Sequence, residues 1–341
     1  MPDAGGLSPV EAALDRRVDA QFLGLGWRAE DASGAWVAGA EVARRRERSD
    51  LALAVTDPNG AVTATRVRDG ALEADGWLFP HRRQSLDPDW EAEGSATVGL
   101  SGGDEEVWAG GRFGLASTAS PALTLRGALV ADERAGMQTL APVTVVGLAP
   151  MRGDLGPDGS ATGAILRADL DVGERLHLGL EHQSLRLEGL SYETGAAFGG
   201  FDVARATVHA TELRSDLWLG GGFGAYASAT HAEGEIDRGP GAGGPLPEAP
   251  EWTLRGGLAW VHPAQVRTSV EGVWTSERFG DPNGGRLSPV FTLDAGLSWE
   301  PFDKRLALGV EVRNLTDARP ERPFGQVPLR RSFPVTAAAR F

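Results

Sequence analysis

Phe333-Pro334-Val335-Thr336-Ala337-Ala338-Ala339-Arg340-Phe341 puts apolar side chains at 333, 335, 337, 339 and 341, and the aromatic Phe341 carries the final carboxylate. Free C-termini normally fray. An alternation that runs to the last residue therefore predicts a strand held on a neighbour, most simply by closing a barrel. Period-two apolarity describes a sheet with one face in lipid and one in water.

The same pattern continues upstream of this strand. Trp252, Leu254, Gly256, Leu258 and Trp260 alternate with Thr253, Arg255, Gly257 and Ala259, and after His262-Pro263-Ala264 the pattern resumes at Val266, Val270, Gly272 and Trp274. Phe291, Leu293, Ala295, Leu297 and Trp299 form a further strand, and Leu306, Leu308, Val310 and Val312 follow a turn at 300–303. The opposite faces carry Arg267, Glu271, Asp294, Arg305, Glu311 and Arg313. An Arg or Lys at the midplane of a lipid face costs about 2 to 4 kcal/mol, so these six are expected to face a wet or protein-filled lumen. Trp252, Trp260, Trp274 and Trp299 suit interfacial girdles. Only Tyr192 and Tyr226 supply tyrosine, which is scarce for a girdle.

Connections alternate between tight turns and long polar stretches at 233–250, 279–289 and 315–330, the arrangement of a barrel with short turns on one side and long loops on the other. Further hairpins are predicted at 107–115 with 123–129 and at 164–172 with 176–180. Residues 20–68 are read as four strands, with a turn at Asp57-Pro58-Asn59-Gly60. Residues 70–92 and 134–160 are read as long loops, and 7–18 as a short helix or extended lead-in. The expected architecture is all-β, an antiparallel transmembrane β-barrel of about 14 to 16 strands or the C-terminal portion of a larger one. Residues 1–18 would be a lead-in segment and 19–341 the barrel domain.

Composition agrees with strands that each have one apolar face. Gly accounts for 47 of 341 residues while the apolar share is 41%, and no apolar run approaches the roughly 18 residues of a membrane helix. A net charge of −14 argues against nucleic acid as a partner. With no cysteine, disulfides, thiolate metal sites and Cys nucleophiles are excluded. Met1-Pro2-Asp3-Ala4-Gly5-Gly6 has neither a basic nor an apolar region of the secretory type, so no signal peptide is visible.

Three stretches carry a resemblance to the C-terminal part of TonB-dependent receptor barrels: Val203-Ala204-Arg205-Ala206-Thr207-Val208-His209-Ala210-Thr211-Glu212-Leu213, Val312-Arg313-Asn314-Leu315-Thr316-Asp317, and Pro328-Leu329-Arg330-Arg331-Ser332-Phe333 with the terminal Phe341. Their order and spacing over 202–341 are more specific than any one alone. Ala210 and Leu329 stand where the family usually has glycine. The resemblance implies a 22-stranded outer-membrane barrel in a Gram-negative bacterium, a plug domain that fills it, and a box that engages an energy-coupling protein. No plug-like segment is visible here. It also implies outer-membrane lipid and the barrel-assembly machinery as partners, with Phe333, Val335 and Phe341 as the assembly signal.

His177, His182 and Ser184 fall on one predicted strand, but no acidic or amide group can be placed to orient them, so no catalytic residue and no enzyme activity is expected. Asp237, Asp281, Asn283 and Asp317 read as turn residues, since Asp and Asn mimic backbone turns, and neither a metal site nor a cofactor is expected. Arginines suit bidentate recognition of anions. Arg238, Arg278, Arg286, Arg319 and Arg322, with Asp237, Asp281 and Asn283, are the candidate ligand-binding loop residues, and Arg330 and Arg331 lie nearby. The expected function is a receptor-type barrel that binds and admits a scarce nutrient, such as a metal chelate or other organic solute. The alternatives are a plugless passive pore and a soluble or surface β-sheet binding protein.

Overall fold

The computed structural model describes residues 10–56, 62–101, 107–132, 144–150, 155–193, 200–280, 285–301, 305–319 and 330–339. Its strands are β1 Val10–Asp31, β2 Gly34–Thr56, β3 Val62–Asp87, β4 Trp90–Ser101, β5 Val107–Ser120, β6 Leu123–Asp132, β7 Leu155–Val172, β8 Leu176–Glu193, β9 Gly200–Gly220 and β10 Phe223–Arg238. They continue with β11 Trp252–His262, β12 Val266–Thr275, β13 Arg278–Phe279, β14 Arg286–Leu287, β15 Val290–Trp299, β16 Leu306–Val312 and β17 Val335–Ala339. Fifteen of them form one sheet in which every strand pairs with its sequence neighbour, β13 and β14 standing apart as a two-residue ribbon. Among the described residues, β1 and β17 are the two edges of the sheet.

This antiparallel meander puts every second connection at the same end. The turns at 32–33, 88–89, 121–122, 173–175, 221–222 and 263–265 are short, whereas the opposite end carries 133–154, 239–251, 276–289 and 313–334. Turn chemistry accounts for the tight ones. Gly220, Gly221 and Gly222 all have positive φ, and a Cβ on Gly222 would lie 2.1 Å from the Val261 carbonyl oxygen. Only glycine fits there.

The pleat sorts side chains by face. Leu78, Leu100, Leu129, Leu166, Leu180 and Leu258 lie exposed on one side, while Glu41, Asp75, His81, Arg112, Asp132, Asp169 and Gln183 are buried on the other. This inverts a water-soluble sheet, which buries leucine and exposes charge, and it is the pattern of a wall whose outside is lipid. Outward tryptophans mark the limits of that band. Trp27, Trp36, Trp90, Trp260 and Trp299 lie near short turns, with Arg82 stacked 4.7 Å from the Trp36 ring, and Trp252 stands at the opposite end of β11. Eight residue steps separate Trp252 from Trp260. At ~3.4 Å per residue and a tilt of about 40°, that is roughly 21 Å of height, close to the apolar band of an outer-membrane barrel.

The hairpins expected at 107–129, 164–180, 252–274 and 291–312 are present. Residues 20–68 are not four strands: they hold most of β1, all of β2 and the start of β3, and the turn expected at 57–60 lies outside the described residues. Nor are 70–92 a loop, because β3 continues to Asp87 and β4 starts at Trp90. The two corrections have different causes: within 70–92, Trp77 and Phe79 pack inward while Leu78 faces out, so the run is apolar on both faces and does not alternate. Beyond the lipid band a strand meets water on both faces, so Arg44-Arg45-Arg46-Glu47-Arg48 has no period-two apolarity to read. Strand β1 begins at Val10, within the segment read as a lead-in, and β7 begins at Leu155, within the segment read as a loop.

Candidate functional site

On the inner face, ion pairs and hydrogen bonds run from strand to strand. The Trp77 indole N–H donates to Glu41 at 2.9 Å, and His81 Nε2 lies 3.1 Å from Glu93. Arg112 clasps Asp132 through Nε and a terminal nitrogen at 2.6 to 2.8 Å, both side chains being almost wholly buried. Asp169 gathers two guanidinium groups and an imidazole: Arg126, Arg167 at 2.7 Å and His177 at 3.3 Å. Arg167 also approaches Glu181 at 3.8 Å. Glu41, Glu93, Asp132 and Asp169 thus each have a cation or donor beside them, as burial of charge requires.

The middle of the 133–154 connection lies on this wall. Val145 and Leu148 exchange backbone hydrogen bonds of 2.9 and 2.8 Å around Val146 and Gly147, whose φ values are 45° and 77°, the signature of a type I′ turn. The Val146 N–H donates to the Glu93 carboxylate, and Gln183 donates to the Ala149 carbonyl at 3.2 Å. Val145, Val146 and Leu148 are buried with Ala128, Val130 and Ile165. Beneath the turn lies a cavity of about 660 Å³ lined by residues that include Arg83, Glu91, Glu93, Arg126, Arg167 and Gly147.

Nearer the long-loop end the inner face turns apolar. Leu185, Leu187, Leu190, Tyr192, Val203, Val208 and Ile236 form a buried cluster, and the connection 239–251 folds back to add Leu246 to it. Hydrogen bonds from Leu246 to Gly234 and from Ile236 to Gly244 fix that fold-back. A smaller cavity of about 230 Å³ lies between it and Tyr192, Val208 and Thr253.

Of the six residues read as lumenal, Glu271 is directly opposite Asp294 across β12 and β15. Glu271 accepts from the Tyr226 hydroxyl and lies 3.9 Å from Arg255, and Asp294 accepts from the Asn314 N–H at 2.7 Å. Arg267 lies 3.7 Å from Glu300, Arg313 is 2.8 Å from Glu311, and Arg305 is exposed at the turn before β16. The loop candidates are not gathered together. Asp237 accepts from the Thr207 hydroxyl at 2.8 Å beside the exposed Arg238. Arg286 pairs with Glu277 and stacks 5.2 Å from Phe279, on the ribbon that also carries Arg278. Arg319 is exposed, and Asp281, Asn283 and Arg322 lie outside the described residues. Phe333 and Val335 face outward, and Phe341 is likewise outside the described residues. His177 bonds Asp171 at 2.7 Å and His182 bonds Thr211 at 2.9 Å. The pleat sends those two histidines to opposite faces. Among the described residues no group of three or more ligating side chains could hold a metal ion.

The motif Asn314-Leu315-Thr316-Asp317 is a local cap. Asn314 Nδ2 donates to the Ala318 carbonyl at 2.7 Å, its Oδ1 accepts from the Ala318 N–H at 2.9 Å, and Thr316 Oγ1 donates to the Phe291 carbonyl at 3.2 Å. The Glu93, Arg112, Asp132 and Asp169 network was not singled out from sequence, although the period-two rule that found Arg267 and Glu271 applies equally to β3–β8.

An antiparallel meander with an apolar outer band and an ionic inner face defines the wall of a barrel of the membrane type. Residues 194–315 match the family described as TonB dependent receptor-like, beta-barrel. Solved structures share the fold over almost the whole chain. The ferric yersiniabactin uptake receptor FyuA from Yersinia pestis is 13% identical with a TM-score of 0.59, covering 97% of this chain and 54% of its own. The copper transporter OprC is 14% identical at 0.61, covering 98% and 57%. The siderophore receptor PiuA from Acinetobacter baumannii is 11% identical at 0.59, covering 96% and 55%. The chain thus spans a little over half the length of these structures. No curated protein matches it by sequence.

Proposed function

We propose that this chain forms barrel wall of an outer-membrane receptor of TonB-dependent type, in which the inner face and long connections receive a scarce nutrient such as a metal chelate or another organic solute. The observation that carries the reading is the inverted sheet, leucine and tryptophan outward and paired charges inward, which only lipid outside and water or protein inside would stabilise. The matched family and the receptors and transporters with this fold support the nutrient class. In the working protein a plug domain and an energy-coupling partner complete the path, and outer-membrane lipid and the assembly machinery act on the outward band. The test is expression in a Gram-negative host followed by fractionation and by gel mobility with and without boiling. Outer-membrane recovery with a heat-modifiable band is expected. A chain that stays in the aqueous fraction, folded without detergent, would overturn the reading.

A further inference from the structure

We propose that Arg44 and Arg46, on the outer face of β2, bind the phosphates of a lipid headgroup in the outer leaflet, with the acyl chains of that lipid on the apolar surface directly below them. The proposal rests on the barrel reading above and concerns only the outside of the wall.

Parity and height place the two side chains. Glu41 and Ala43 are buried on the inner face while Val42 is exposed on the outer one, so Arg44 and Arg46, both exposed, continue the outward parity. Arg44 lies eight residues from Trp36 toward the long-loop end of β2. The same step leads from Trp260 to Trp252 on β11 and from Trp299 to Phe291 on β15. Where those strands end the apolar band with an aromatic ring, β2 ends it with a guanidinium, and Arg46 follows roughly 5 Å further out. That is the depth of the outer-leaflet headgroups, where arginine costs little although it is expensive at the midplane.

Neither arginine has an ion-pair partner among the described residues. Strands β8 and β9 differ, since their outward Arg186 and Arg205 both pair with Glu188, at 3.5 and 2.9 Å. Arg44 stands between Gln21 on β1 and Ala74 on β3, neither of which supplies a carboxylate, and Asp19 is opposite Arg46. Register adds Arg48 as the next position of this parity on β2, with Arg17 opposite it on β1. In a chain of net charge −14, such a concentration of arginine calls for an anion, and the planar guanidinium fork takes phosphate bidentately.

The surface below selects a lipid over a free anion. Leu23 is directly opposite Val42, and Leu25 and Leu78 flank Ala40. Leu23, Leu25, Val42 and Leu78 are all more than half exposed. A phosphate held by Arg44 and Arg46 therefore sits above a continuous apolar surface, which an acylated lipid covers and inorganic phosphate leaves bare.

The test is native mass spectrometry of the full chain, extracted from outer membranes in non-ionic detergent, stripped of lipid and titrated with diphosphoryl lipid A. Arg44→Gln with Arg46→Gln should weaken the adduct about tenfold or more, as loss of charge-assisted bonds at two guanidinium groups implies. Arg186→Gln with Arg205→Gln removes as much charge from the same outer face and should leave the adduct nearly unchanged. In the parent, dephosphorylated lipid A should bind at least about tenfold more weakly for the same reason, and equal binding of the two lipids overturns the site whether or not any variant folds. Equal adducts in the parent and a heat-modifiable Arg44 and Arg46 variant, or an equal loss in the control variant, also overturn it. Displacement of the lipid by inorganic phosphate at the lipid's own concentration would assign a free-anion site and overturn the lipid. Recovery of the parent chain in the aqueous fraction overturns the barrel reading and this site together, and fractionation detects it before any lipid is added.

Discussion

Ala295 lies midway between Phe291 and Trp299 on β15, four residues from each, directly opposite Val270 on the outer face. If Phe291 and Trp299 sit at the two interfaces, Ala295 is at the bilayer midplane. Ala295→Arg then places a guanidinium where it costs about 2 to 4 kcal/mol, a factor of roughly 30 to 700 in the folding equilibrium. Ser269, almost level with it, is opposite Gly296 and points inward. Ser269→Arg should remain within about 0.5 kcal/mol of the parent, as ordinary solvated substitutions do. The assay is urea unfolding of the protein in phospholipid vesicles, followed by loss of the heat-modifiable band. Equal costs, or a larger cost at Ser269, would refute the assignment of faces on which the functional reading stands.

Other expectations follow from single contacts. Arg112→Ala strands Asp132, 3% exposed, and should cost about 3 to 5 kcal/mol, whereas Arg112→Met with Asp132→Leu should recover most of it; the urea midpoint reports both. Asn314→Ala removes the amide cap and puts alanine at a φ of 53°, a loss of about 2 to 3 kcal/mol. Asn314→Gly relieves the backbone but not the cap and should fall between, as thermal loss of the folded band would show. Gly222→Ala forces a Cβ against the Val261 carbonyl and should cost more than about 1 kcal/mol, visible as a lower urea midpoint.

What could be read from sequence follows the lipid. Trp252–Trp260, Val266–Trp274 and Phe291–Trp299 were legible because hydrocarbon on one side and water on the other force strict alternation. Outside that band the same strands lose the signal, as at 44–48 in β2, and β3 was missed at Trp77-Leu78-Phe79, where both faces are apolar. The inner face was half legible. Parity alone placed Arg267, Glu271 and Asp294, but which charges meet depends on register, so that Arg112 finds Asp132 and Asp169 gathers Arg126, Arg167 and His177 only once β5, β6, β7 and β8 are aligned. The hairpin at 145–148 gave no signal, since Val146-Gly147 is a poor type I′ pair by local preference; tertiary contacts with Glu93 and Gly114 decide it.

The edges of the sheet set the remaining physical condition on function. Among the described residues β1 has a partner only in β2, yet it presents Leu23, Leu25 and Trp27 outward, so its outer-band backbone lies at the depth of lipid. Each unpaired N–H or C=O there costs several kcal/mol. Even five such groups exceed the roughly 5 to 15 kcal/mol that stabilises a folded protein. A working form must therefore bring β1 and β17 into register with further strands or with each other. Direct closure of fifteen strands and closure by additional strands predict different circumferences. Barrel diameter grows nearly in proportion to strand number, so single-channel conductance of the purified protein separates them. A pore no wider than fifteen strands allow would mean that the wall closes on itself, and a wider one that strands beyond β1 and β17 complete it.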